Sequence, residues 1–167
     1  MSSGGTANTV YSFGDQTTAK NTLGAGPLVE DIAFHLAVAG GPALAVPVAA
    51  SNVGTVGTIT RVGTSPSPGL GTSGTPRDKY DVIAEIVTGG AVATASFKIS
   101  FDGGATYSPV YATAASVTTF VAATGLTLTF VAGTYVAGDT YTFSTVAPTY
   151  SASDLNTALD ALLADSR

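Results

Sequence analysis

The sequence of 167 residues contains no cysteine, no tryptophan, one methionine and one histidine. Without cysteine the chain forms no disulfide bond, no thiolate zinc site and no cysteine nucleophile. The single histidine, His35, excludes a multi-histidine metal site. Glu30 and Asp31 lie one turn before it, but we interpret His35 as a packed or hydrogen-bonded residue. These absences predict a protein that is not an enzyme and that binds no cofactor or metal.

Charge is also scarce, because Asp, Glu, Lys and Arg make up only 10% of the chain against about a quarter of an average soluble domain. The six Lys and Arg residues are scattered and the formal net charge is -5, which excludes a basic surface for nucleic acid. So few charges favour a surface covered by neighbouring subunits, as in a homo-oligomer. A small, rigid β domain that works alone is the alternative.

One long stretch lacks formal charge, from residue 32 to residue 50. Gly40-Gly41-Pro42 and Pro47 would break a membrane helix there, so we predict no membrane segment. The N-terminus has no basic start followed by an apolar run, which argues against a secretory signal.

Residues 1–22 are polar and rich in Gly, Ser and Thr, with Tyr11 and Phe13 as the bulky exceptions. We predict a flexible N-terminal arm. In an assembly this arm would reach a neighbouring subunit through Tyr11 and Phe13; a disordered tail is the alternative.

Two segments flanking the centre predict a small partial α/β layer, formed by 23–64 and 148–167. Its elements are a mostly buried helix over 27–39, which starts at a proline and ends at Gly40-Gly41, an apolar strand over 43–48 and a C-terminal helix over 152–165. The strand has no polar alternation, which is typical of a parallel sheet covered on both faces. The last helix opens on a capping-box pattern and carries a leucine face that needs a partner, so its candidate assembly contacts are Leu155, Leu159 and Leu162.

Between these segments we predict a linker over 65–76 and a β domain over 77–147. Six short apolar-polar strands separated by Gly, Ala, Ser and Asp turns fit an antiparallel β-sandwich of immunoglobulin-like size. The fold class is therefore α+β, and the expected core residues are Phe97, Ile99, Phe101, Leu126, Leu128, Phe130, Tyr141 and Phe143.

Three local patterns could indicate binding sites. Asp102-Gly103-Gly104 offers one carboxylate where Ca²⁺ needs six to eight oxygens, so we interpret it as a hairpin turn. Gly24-x-Gly26 before a helix lacks the third glycine and the lysine of phosphate-binding loops. Tyr107, Tyr111 and Tyr135 could form a sugar-stacking platform, although such tyrosines are more often core or interface residues.

Several stretches together resemble tail-sheath-like proteins of contractile-tailed phages: residues 23–30 (LGAGPLVE), 35–48 (HLAVAGGPALAVPV), 100–107 (SFDGGATY), 125–143 (GLTLTFVAGTYVAGDTYTF) and 154–163 (DLNTALDALL). The resemblance covers about residues 23–165. It implies a virion protein, made in the host cytoplasm, that assembles with copies of itself and with other virion proteins. A sheath protein would continue past Arg167 with the rest of its α/β domain.

Two other functions stay open at this point. The β domain that residues 100–143 resemble occurs in several kinds of phage structural protein, so the resemblance implies a capsid decoration or head-fibre protein as the first alternative. The second is a carbohydrate-binding adhesin module that uses its tyrosines.

Overall fold

The structure is a computed structural model that describes residues 4–63, 67–113, 118–120 and 124–165. It is a mixed α+β protein in which the paired strands are antiparallel. The helices are α1 (Gln16–Leu23), α2 (Pro27–Ala39) and α3 (Ala152–Ala164). The strands are β1 (Tyr11–Phe13), β2 (Ala43–Ala45), β3 (Thr55–Val56), β4 (Thr60–Val62), β5 (Leu70–Gly74), β6 (Asp81–Thr88), β7 (Gly90–Ala91), β8 (Ser96–Ser100), β9 (Tyr111–Ala112), β10 (Thr118–Phe120), β11 (Leu126–Phe130), β12 (Thr134–Tyr135) and β13 (Thr140–Val146).

The first part, which we call the N-terminal lobe (residues 4–48), packs α1 and α2 against the pair β1–β2. Asp15 caps α1 by accepting a hydrogen bond from the backbone N–H of Thr18 at 2.8 Å. Pro27 begins α2, and Gly40 ends it in a left-handed conformation at φ 65°, which glycine adopts without strain. The lobe has its own core: Phe13, Ala19, Leu23, Val29, Ile32, Leu36, Ala43 and Ala45.

In the second part, the β lobe (residues 52–146), the described residues form three antiparallel sheets. The largest has the order β3-β13-β6-β8-β9, and β4 pairs with the same side of β13 as β3 does. A smaller sheet has the order β10-β11-β5, and β12 pairs with β7. Buried side chains from the two larger sheets, together with Ala95 before β8 and Tyr135 of β12, form one core: Leu70, Val82, Ala84, Ile86, Ala95, Phe97, Ile99, Leu126, Leu128, Phe130, Tyr135, Tyr141 and Phe143.

The sequence predicts the longer β strands. Each of the six expected strands is present, although the third of them is reduced to the two residues of β9. Seven of the eight expected core residues are buried, while Phe101 is partly buried against that core. The turn at Asp102-Gly103-Gly104 is also confirmed, with Gly103 and Gly104 at φ 71° and 98°. Alternation of apolar and polar residues, together with glycine turns, therefore predicts the longer strands of this lobe.

The N-terminal segment needs correction. The sequence predicts a flexible arm over 1–22, but β1 and most of α1 lie within its described residues 4–22. Phe13 is buried in the core of the N-terminal lobe, and Tyr11 packs against that core. Residues 11–13 form a strand because they pair with β2, some thirty residues further along the chain, and the local composition does not reveal this partner.

The predicted α/β layer is also corrected. The strand expected over 43–48 spans only Ala43–Ala45 and pairs antiparallel with β1, so it is no parallel strand. Leu44 is exposed, which means that only one face of β2 is covered. The segments 55–62 and 70–74, expected in the layer and in the linker over 65–76, instead form β3, β4 and β5 of the β-lobe sheets.

The two expected helices are confirmed, over Pro27–Ala39 and Ala152–Ala164. Helix α2 is not mostly buried, however. It buries Val29, Ile32, Ala33 and Leu36 and leaves the opposite face exposed.

Candidate assembly surfaces

Helix α3 exposes one half of its apolar stripe. Leu155, Leu159 and Leu163, which we call the α3 row, follow one another at helical spacing and are 37%, 45% and 82% exposed. The other half of the stripe turns inward, since Ala158 is buried and Leu162 is partly buried. Of the three predicted contact leucines, Leu155 and Leu159 therefore lie on the exposed row, whereas Leu162 lies beside the buried alanine.

The start of α3 is anchored to the segment before β3. Ser151 and Asp154 form a capping box: the Ser151 hydroxyl accepts from the Asp154 N–H at 3.2 Å, and the Asp154 carboxylate accepts from the Ser151 N–H at 2.7 Å. The same carboxylate also accepts a hydrogen bond from the Ser51 hydroxyl. These bonds, first that from Ser51, lower the pKa of Asp154. Backbone pairing of Asn52 with Thr149 completes the anchor.

Helix α2 carries a second exposed apolar row. Phe34 and Val38, which we call the α2 row, are each 71% exposed and lie one turn apart. Sequence reasoning missed them, because it followed the larger set of apolar residues on the opposite face. The signal was present, since Phe34 and Val38 fall at spacing i, i+4 outside that face.

Two shallow clefts lie beside α2, and Asp31 lines both. The first, of about 240 Å³, is lined by Pro27, Leu28, Asp31, Val46, Val48 and Tyr150. The second, of about 330 Å³, is lined by Asp31, Ile32, His35, Pro42, Ala43 and Leu44. His35 is exposed there, so it is not packed within the described part of the chain.

The N-terminal contact residues lie within their own lobe. Tyr11 stacks on Phe13 with ring centroids 6.0 Å apart, and the Tyr11 hydroxyl accepts from the Thr6 N–H at 2.8 Å. This hydrogen bond lowers the pKa of Tyr11. Both side chains are therefore held by contacts within the N-terminal lobe.

The hairpin after β8 uses its carboxylate internally. The Thr106 hydroxyl and N–H donate to Asp102 at 2.6 and 2.9 Å, and the Ser100 hydroxyl donates at 2.7 Å. These bonds lower the pKa of Asp102 to about 2, the Thr106 side chain contributing most. Among the described residues no group of three or more His, Asp or Glu side chains is placed to hold a metal ion.

The three tyrosines considered for a sugar platform do not act together. Tyr135 is buried, and its burial raises its pKa to about 12. Tyr107 and Tyr111 are exposed, but the Lys98 ammonium lies over the Tyr107 ring, 4.5 Å from its centroid, and also contacts Glu85 at 3.1 Å. One face of that ring is therefore occupied.

In the part of the chain that the structure describes, none of the helices combines the length and apolar character needed to cross a bilayer. Comparison of the chain with protein-family models, with curated proteins and with solved structures finds no match.

Proposed function

We propose that this protein is a non-enzymatic structural component of a tailed-phage particle, tail-sheath-like or otherwise associated with the tail, that assembles with copies of itself and with other virion proteins. The observation that carries the proposal is the pair of exposed apolar rows on α2 and α3. Monomeric soluble proteins seldom leave contiguous rows of large apolar side chains in water, whereas interface cores are built from them.

The balance of energies supports assembly. Burying a fully exposed Leu or Phe side chain contributes about 1.5–3 kcal/mol, and the partly exposed side chains of the two rows contribute a fraction of that according to their exposure. Electrostatic repulsion between copies would oppose assembly only weakly, because only 10% of the residues are charged. Many small contacts of this kind, repeated along a polymer, stabilise an assembly whose single contacts are modest.

The β lobe has a role of its own in this proposal. We propose that its two larger sheets form an immunoglobulin-sized β-sandwich that projects from the assembling helices. The support is their shared core, in which Phe97 of β8 meets Phe130 of β11 with ring centroids 4.6 Å apart.

The experiment is electron microscopy of the purified chain, combined with gold labelling of the phage particle by an antibody to the β lobe. Rings, tubes or filaments, with label along the tail, are the expected result. Label on the head would replace the tail location with the capsid-decoration alternative. A chain that stays monomeric at millimolar concentration and binds glycans in an array would overturn the proposal in favour of an adhesin.

A further inference from the structure

The pair Asp102-Gly103 is the one place in the sequence where a glycine follows an Asp or an Asn. In such a pair the glycine amide nitrogen can attack the side-chain carboxyl carbon of the aspartate, because glycine has no side chain to hinder the approach. A new C–N bond forms and one water leaves, which gives a five-membered succinimide. Water then reopens the ring at one of its two carbonyls, and opening at the main-chain carbonyl gives isoaspartate.

We propose that Asp102-Gly103 is a latent modification site, at which the closed hairpin blocks isoaspartate formation and local opening of the hairpin permits it. The reaction needs only water and the two residues of the turn. It therefore goes beyond the proposed assembly and does not depend on it.

The nucleophile of this reaction is held away in the closed hairpin. The Gly103 N–H donates to the backbone carbonyl of Asp81 at 2.8 Å, and Asp81 also forms a β-bridge with Asp102. An attack would have to break the hydrogen bond to Asp81, because the peptide unit must rotate to bring its nitrogen over the Asp102 carboxyl carbon.

The electrophile is held separately, by side chains on both sides of the turn. The Thr106 hydroxyl and N–H donate to the Asp102 carboxylate at 2.6 and 2.9 Å, and the hydroxyl of the buried Ser100 donates at 2.7 Å. These bonds restrain the rotation of the carboxylate toward Gly103. They also stabilise its ionised form, whereas the neutral carboxyl is the reactive form, because its hydroxyl leaves as water.

Isoaspartate would not fit the hairpin again. Its main chain runs through the former side-chain carbonyl and is longer by one methylene group, while the remaining carboxylate sits on a shorter arm. The closed turn requires Gly103 and Gly104 at φ 71° and 98°, and the Gly104 N–H donates to the Ser100 hydroxyl at 2.8 Å. One opening that leads to isoaspartate therefore prevents the hairpin from closing with its original bonds.

The test follows the full chain at neutral pH in water labelled with heavy oxygen, folded or unfolded in guanidinium chloride. Each passage through the succinimide leaves one heavy oxygen atom at position 102, and peptide mapping separates the isoaspartate product. Thr106→Val removes the hydroxyl donor but keeps the side-chain shape and the backbone N–H. Thr106→Ser, which keeps the hydroxyl, is the matched control, and thermal unfolding checks that both variants fold.

The folded wild-type chain should form isoaspartate at least about ten-fold more slowly than the unfolded chain, because lowering the pKa of Asp102 from 3.8 to about 2 alone reduces the neutral fraction by more than that. Folded Thr106→Val should react several-fold faster than folded Thr106→Ser, which should stay close to wild type.

Three outcomes would overturn the proposal. Equal rates in the folded and unfolded wild-type chain would show that the hairpin gives no protection. Heavy oxygen absent from position 102 in both states would show that the pair is not a modification site. Equal rates for folded Thr106→Val and Thr106→Ser would show that the Thr106 hydroxyl does not restrain the carboxylate. None of these results bears on the proposed assembly, which microscopy tests separately.

Discussion

Phe97 and Phe130 offer a quantitative test of the β lobe, because they join its two larger sheets. Phe97 lies on β8 and Phe130 on β11, both are almost completely buried, and their ring centroids are 4.6 Å apart at 44° between planes. Replacing either ring with leucine keeps the site apolar and should lower the free energy of unfolding by about 1–2 kcal/mol.

The two substitutions should not add. A buried aromatic pair at this distance contributes about 1 kcal/mol beyond the area it buries. Either single variant already loses that contribution, so Phe97→Leu/Phe130→Leu should be about 1 kcal/mol more stable than the sum of the single effects predicts. Urea unfolding followed by tyrosine fluorescence measures all four proteins.

Phe143 supplies the control pair. It lies in the same core, but strand register places Phe97 opposite Ile86 and Phe143 opposite Val82, about 13 Å apart along β6. Phe97→Leu and Phe143→Leu should therefore add to within about 0.5 kcal/mol. Additivity of the Phe97 and Phe130 effects to the same precision would refute the view that the two sheets share one packed core.

Three further predictions concern single groups. Hydrogen bonds led by those from Thr106 hold the pKa of Asp102 at about 2. The ionised Asp102 therefore stabilises the folded state fully above the ordinary value near 3.8, and this stabilisation is lost as pH falls through about 2. Asp102→Asn should remove this part of the loss of stability in acid. Thermal unfolding at stepped pH checks this, and equal pH slopes for variant and wild type would contradict it. Ser151→Ala removes the α3 cap and should destabilise that helix by about 1 kcal/mol, seen as lost ellipticity at 222 nm; Ser153→Ala, outside the cap, should lose much less. Burial raises the pKa of Tyr135 to about 12, so the folded state keeps this phenol neutral while the unfolded state ionises near pH 10, and stability falls as pH rises above about 10. Tyr135→Phe should lose the latest step of the phenolate absorbance titration, and an unchanged curve would show that Tyr135 ionises normally.

The sequence predicts those strands whose pattern is local. β6, β11 and β13 alternate apolar and polar residues between glycine-containing turns, so their existence and their inward residues follow from period two. β5 has two glycines in five residues and lies in a stretch that reads as a linker. Only its pairing with β11, more than fifty residues away, makes it a strand, and propensity alone does not encode such a partner.

The candidate assembly surfaces were predictable in part, for a related reason. The leucine pattern of α3 indicates an apolar stripe but does not say which half the chain itself covers. In the structure one half of that stripe is covered and the other is exposed, because Ala158 is buried whereas Leu159 is exposed. On α2 the larger apolar face is the covered one, and Phe34 then remains outside it. Helical periodicity identifies apolar faces, whereas tertiary packing decides which of them stays available.

The few charged residues are unevenly distributed in the folded chain, and their distribution bears on the proposed assembly. In the β lobe, Arg61 pairs with the buried Asp139 at 3.1 Å and Lys98 pairs with Glu85 at 3.1 Å, so these two basic groups form ion pairs within the lobe. The exposed face of α2 beyond Asp31 and the leucine row of α3 have no basic side chain. A helix face kept soluble for its own sake usually carries interspersed Lys and Glu. The absence of Lys and Arg from both helices, together with their exposed apolar rows, supports the proposal that these helices, more than the larger β lobe, form the contacts of an assembly.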